Sequence, residues 1–302
     1  MAADGHGSAS IAITIQLPTV GAVRAPRQCG NHGLSYSTAD PNTLVVARTS
    51  TGHPIGVSLR ITSPPAQSRV CIHFPSGSDP GKHDNEVIAT HGDSVLIRVA
   101  PDQGFHTPRD YFVYNAGDAA ADSPQPPSLS LLPPCYRFLV KDSSTGILRR
   151  GEDELVVARL EIVRPNDETP KEHVAEMLLF RNCKWWTLRW PGINGIAKEK
   201  LLRHWSSRSV IPVGDDKLCW VYMGDGLIFC NMFEERPILR YVALPEDPYC
   251  SAESYSSGNV RVTAGGDAVK FVNIFARCCV AAARAPPNAN NRNMPTSSEP
   301  GC

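Results

Sequence analysis

A chain of 302 residues can bury a sizeable core, either as one large all-β domain or as two average domains. Its 30 basic and 30 acidic residues cancel, which removes the molecule-wide positive field that phosphate neutralisation needs, so no nucleic-acid partner is expected. Charged residues make up only 20% while glycine and proline number 23 and 26, a balance that suits many short strands joined by turns rather than long amphipathic helices.

Residues 1–50 are rich in Ala, Gly, Ser and Thr and read as mostly irregular, with one strand at "IAITIQL". The first 23 residues lack the basic start and compact apolar run of a secretory signal; the first 36 carry one acid, Asp4, with Arg24 and Arg27, which leaves an organelle transit peptide as the alternative reading. No apolar run approaches the roughly 20 residues of a membrane helix, so the expectation is a cytoplasmic or nuclear protein with no membrane partner.

From Ile55 onward, short runs of Val, Ile, Leu and aromatics recur between Gly, Asp, Asn and Pro. Two of them, "IGVSLRIT" (55–62) and "SRVCIHFP" (68–75), stand outside any complete repeat. Three later segments superimpose: "VIATHGDSVLIRV" (87–99), "VIPVGDDKLCWVY" (210–222) and "RVTAGGDAVKFVN" (261–273). Each bends at a Gly-Asp, namely Gly92-Asp93, Gly214-Asp215 and Gly266-Asp267. Glycine supplies the positive φ of a hairpin turn and Asp bonds the turning backbone, so each segment reads as a hairpin.

A second pair of runs follows the first two hairpins, at 110–134 and 226–245, and a related pair at 175–191 follows "ELVVARLEIV" (154–163), where the Gly-Asp bend is missing. The unit is four antiparallel strands, the size of a β-propeller blade. Blade one is placed at 86–134, blade two at 151–191, blade three at 207–245, and two strands of a fourth at 259–280. The two N-terminal runs are candidates to complete that fourth blade. The fold class is therefore all-β: tandem four-stranded antiparallel blade-like sheets forming an incomplete or open propeller. The repeat domain spans 51–280, and the Pro-, Asn- and Ser-rich segment 281–302 is a disordered tail whose last residue, Cys302, is not followed by the residues of a prenylation signal.

The ten cysteines include no CxxC pair, and no histidine pair stands at zinc-finger spacing, so they read as free thiols in a reducing compartment and no metal or other cofactor is expected. The G-x-S-x-G elbow, the P-loop, G-x-G-x-x-G and H-E-x-x-H do not occur, and no catalytic residue is assigned. His91 beside Asp93 and the Asp215-Asp216 pair carry acid/base groups, yet they lie on the Gly-Asp bends, where turn chemistry accounts for them. "KWWTLRWP" offers Trp185, Trp186, Arg189 and Trp190 as candidate partner-binding residues, since Trp and Arg dominate interface energetics. Strand alternation sends Trp186 and Trp190 to one face and Trp185 to the other, so at least one side is core. "AKEKLLRHWSSR" (197–208) reads as a solvated, short helical connector, and the Pro-containing loops "SPPAQS" and "DSPQPPS" as rim insertions.

The strings "GVSLRITSPPAQSRVCIHFP", "THGDSVLIRV" and "GDDKLCWVYMGDGLIFCNMFEERPILRYVALP", with "NVRVTAGGDAVKFVNI" at the end, resemble in order the grass-expanded plant family called domain of unknown function 1618. Trp220-Val221, Gly226, "LIFCN" and "PILRYVALP" carry the most specific part of that resemblance. It implies a fold similar to the β-propeller segments that accompany plant F-box proteins, with no established activity or catalytic residue. The expected function is a non-enzymatic protein-interaction module with a protein partner. The alternatives are a truncated or spliced family member without independent function, and a hydrolase-type enzyme with its site in a blade channel.

Overall fold

The structure is a computed structural model. It describes residues 9–14, 40–62, 68–74, 83–101, 109–117, 125–135, 142–151, 154–163, 174–190, 193, 207–222, 226–244, 259–263 and 266–272. The tail 281–302, residues 197–206 of the connector, and residues 63–67 and 122–124 of the Pro-containing loops lie outside the described residues.

The described residues form eighteen strands and one short 3-10 turn, with no α-helix, and all strand pairing is antiparallel. The strands fall into five sheets. The second sheet holds β5 (His83–His91), β6 (Ser94–Pro101), β7 (Asp110–Asn115) and β8 (Ser128–Leu131) in simple order. The third holds β9 (Thr145–Arg150), β10 (Glu154–Val163), β11 (Val174–Arg181) and β12 (Lys184–Trp190), and the fourth β13 (Ser209–Val213), β14 (Lys217–Tyr222), β15 (Gly226–Asn231) and β16 (Arg240–Ala243). The fifth has two described strands, β17 (Asn259–Val262) and β18 (Val269–Val272).

Two expectations require correction. The runs at 55–62 and 68–75 do not complete the fourth blade. They become β3 (Pro54–Arg60) and β4 (Arg69–Phe74) of a first sheet, paired with each other and flanked by β1 (Ala9–Thr14) and β2 (Val45–Arg48) in the order β1-β4-β3-β2. The physical reason is that "ASIAIT" and "VVAR" supply extended partners from the Ala/Ser/Thr-rich region, so no strand from the other end of the chain is needed. The second correction concerns "ELVVARLEIV", which is one ten-residue strand, β10; its hairpin partner is the preceding β9 and the bend is Gly151 at φ 59°. The third sheet thus starts at Thr145 and has its glycine bend after all, with Glu152 where the other repeats have Asp.

All three Gly-Asp bends turn as expected: Gly92, Gly214 and Gly266 sit at φ 57°, 59° and 77°, conformations that carry no Cβ penalty for glycine. The β11–β12 turn uses Asn182 and Cys183 at φ 53° and 57°, the two positive angles of a type I′ hairpin.

The sheets stack face to face in sequence order through four apolar cores. Ile55, Val57 and Ile72 of the first sheet meet Val95, Ile97 and Phe112 of the second. The other face of the second sheet, with Leu96 and Val113, packs on Ile147, Val157 and Phe180 of the third. Leu148, Val156 and Met177 from the far face of the third sheet then meet Leu218, Trp220 and Ile228 of the fourth, and Cys219 and Val221 meet Val260 and Phe271 of the fifth. Both faces of each middle sheet are thus apolar, and each wholly buried Leu, Ile or Val contributes about 1.5–3 kcal/mol. The first strands β5, β9, β13 and β17 lie side by side, which brings their glycine bends to one end of the stack.

Candidate functional site

Strand β12 is the outer edge of the third sheet and places the four predicted residues in different surroundings. Trp190 packs on the core between the third and fourth sheets and donates Nε1–H to the Pro237 carbonyl at 3.2 Å. Trp185, on the opposite face, lies 5.1 Å from the Phe180 ring and donates to the Pro133 carbonyl at 2.9 Å. Arg189 donates through Nε to Glu176 Oε2 at 2.7 Å. Trp186, in register with Leu179, is 54% exposed. The strand therefore sends two indoles inward as anchors and leaves one outward, and its outer edge has no strand paired to it among the described residues.

Beside Trp185 is a shallow cleft between the second and third sheets, lined also by Arg109, Asp110, Leu132, Pro133 and Cys135. Asp110 Oδ2 accepts the Ser50 N–H at 2.9 Å, which ties the β2–β3 turn of the first sheet to this corner. Behind the cleft is a polar seam that the sequence analysis missed. Arg98 and Arg159 are 6% and 2% exposed and pair with Glu86 (3.1 Å) and Glu161, whose side chains reach solvent. Burial raises the Tyr111 pKa, while Arg98, Arg109 and Arg159 pull it back down. The signal was present in "VLIRV" and "VVARL": each arginine shares a strand face with core residues of its own sheet.

The turn residues His91, Asp93, Asp215 and Asp216 sit at the end of the stack that carries the glycine bends. Asp93 accepts from Ser94 Oγ at 3.3 Å, and Asp216 bonds Lys217 (3.0 Å) and Asn231 (3.0 Å). His91 reaches further: its Nδ1 accepts the Arg149 backbone N–H at 3.0 Å, across the seam into the third sheet.

On the first sheet, away from the second, Ser58 Oγ and His73 Nε2 are 2.8 Å apart. With exposures of 2% and 1% neither meets solvent, and Cys71 on the same face hydrogen-bonds Ser58. The pair is an internal polar contact that satisfies two buried groups. Among the described residues no three His, Cys, Asp or Glu side chains gather as metal ligands, and no helix is long and apolar enough to cross a membrane.

Comparison with known protein families, with curated proteins and with solved structures returns no match.

Proposed function

We propose that the chain is a non-enzymatic protein-interaction module whose stacked sheets are consecutive blades of an open or incomplete propeller, of the kind that the resemblance to domain of unknown function 1618 implies. The observation that carries this reading is β12: seven residues long against four for the outer strands β2, β8 and β16, with no strand paired along one side among the described residues, and presenting Trp186 at 54% exposure. An indole this exposed on an unpaired edge supports binding, because burying a Trp adds large contact area at low entropic cost while the edge offers backbone donors and acceptors. Trp185 and Trp190, each anchored by a carbonyl, hold that edge in place and are not themselves the contact.

Affinity capture from the source tissue with the wild-type chain and with Trp186→Ala as parallel baits tests the reading. A protein partner retained by the first and lost from the second is the expected result; identical captures, or none specific to the wild type, would remove it.

A further inference from the structure

His91 is a residue that turn chemistry explains only in part. It ends β5, immediately before the Gly92-Asp93 bend, so its backbone belongs to the second sheet. Its ring lies among groups of two other sheets. Nδ1 accepts the backbone N–H of Arg149 on β9 at 3.0 Å, and since a backbone nitrogen can only donate, this nitrogen must be unprotonated and the ring proton must sit on Nε2. The ring also bonds the backbone of Gly214, the bend between β13 and β14 of the fourth sheet. Gly214 in turn donates its N–H to the Gly266 carbonyl in the bend of the fifth sheet. A second bond on the same seam runs from Arg149 Nε to Ser94 Oγ at 2.6 Å.

We propose that His91 is an acid-sensitive latch between the glycine-turn ends of the second and third sheets, closed with a neutral ring and released when the ring gains a proton. The chemistry is a reversal of one contact. A proton on Nδ1 turns an acceptor into a donor facing another donor, so the Arg149 N–H loses its partner and is repelled. The charged groups that act on the ring are Asp215 on the β13–β14 turn and Asp93 on its own turn, while the Arg149 side chain on β9 is held by Ser94. Burial opposes the proton and dominates; the two carboxylates and the Gly214 backbone favour it. The latch is therefore shut at neutral pH and opens below the ordinary histidine range.

Amide hydrogen exchange of the full chain at about pH 7.5 and about pH 5 tests this. The readout is the protection of the Arg149 amide relative to the Val157 amide inside the third sheet. In the wild type that ratio is expected to fall about tenfold on acidification, the equivalent of one lost hydrogen bond. His91→Asn places a non-titrating Oδ1 where Nδ1 sits, and its ratio is expected to stay constant. A wild-type ratio that does not move, or an equal fall in both proteins, would overturn the latch. Should His91→Asn not fold, a nitrogen-detected histidine titration of the wild type decides: the Nε2–H form with a midpoint below the ordinary histidine value of about 6.5 supports the latch, and a midpoint at or above that value overturns it.

Discussion

Trp220 Nε1 donates to the Ser144 carbonyl at 2.8 Å, joining the centre of the fourth sheet to the residue just before the third. Trp220 is wholly buried and is the largest side chain in the core between those sheets. Trp220→Phe keeps most of the volume but strands a buried carbonyl, an expected loss of about 1–3 kcal/mol. Trp220→Ala adds a cavity, for an expected loss of about 3–5 kcal/mol. Urea unfolding of the two variants, compared at equal m-value, measures the difference.

Gly146 tests how closely the third and fourth sheets approach. It lies inside β9, and a Cβ there would meet Val210 Cγ1 at 2.6 Å and Leu218 Cδ2 at 3.0 Å. Gly146→Ala is therefore expected to cost about 1–3 kcal/mol through overpacking, although alanine suits a strand no worse than glycine. Gly151→Ala makes a useful contrast. It has open space for the methyl but φ 59°, so its expected cost of about 1–2 kcal/mol comes from the backbone alone. Thermal melts of the pair, together with Gly146→Ser, separate the causes: crowding grows from Ala to Ser, strain does not.

Thiol labelling reads the burial map chemically. Cys183 is exposed on its turn and Cys135 half-buried at the cleft, whereas Cys71, Cys219 and Cys230 are buried. Burial pushes all three of these thiols up, Cys230 to about 12, which leaves almost no thiolate at neutral pH. Among these five described cysteines, peptide mass spectrometry after brief iodoacetamide treatment of the native chain is expected to find label on Cys183 first and on Cys135 next. Cys71, Cys219 and Cys230 should label only in denaturant.

Acidification should cost stability in a defined window. Burial lowers the pKa of both His73 and His91, so between the folded and unfolded values the unfolded chain binds more protons. Their contribution is fully present above the unfolded value near 6.5 and is lost as pH falls through that range towards the lower folded values. Denaturant midpoints measured stepwise from about pH 7.5 to about pH 5 should therefore decline, and His73→Gln should flatten the slope that its own titration causes.

The repeat was legible because its punctuation is stereochemical. Gly92, Gly214 and Gly266 need positive φ, and the apolar alternation around them had to be paired strands whatever else the chain did. In the first sheet the runs of β1, β3 and β4 were legible but their pairing was not, because β2 is only four residues long and β1 pairs with β4 across a long stretch of chain. The split of the tryptophans followed from strand alternation, yet which indole stays outside depended on the Pro133 and Pro237 carbonyls, which no spacing rule places opposite Trp185 and Trp190. His91 was read as part of a turn because its partners, Arg149 and Gly214, are distant in sequence.

The most direct test of the interaction reading is site-specific photo-crosslinking, with benzoyl-phenylalanine placed at Trp186 and, as a control, at Val272, an exposed residue on the fifth sheet. Position 186 is predicted to trap one protein reproducibly in the source tissue while position 272 does not. Equal trapping at both positions, or none at 186, would contradict the account.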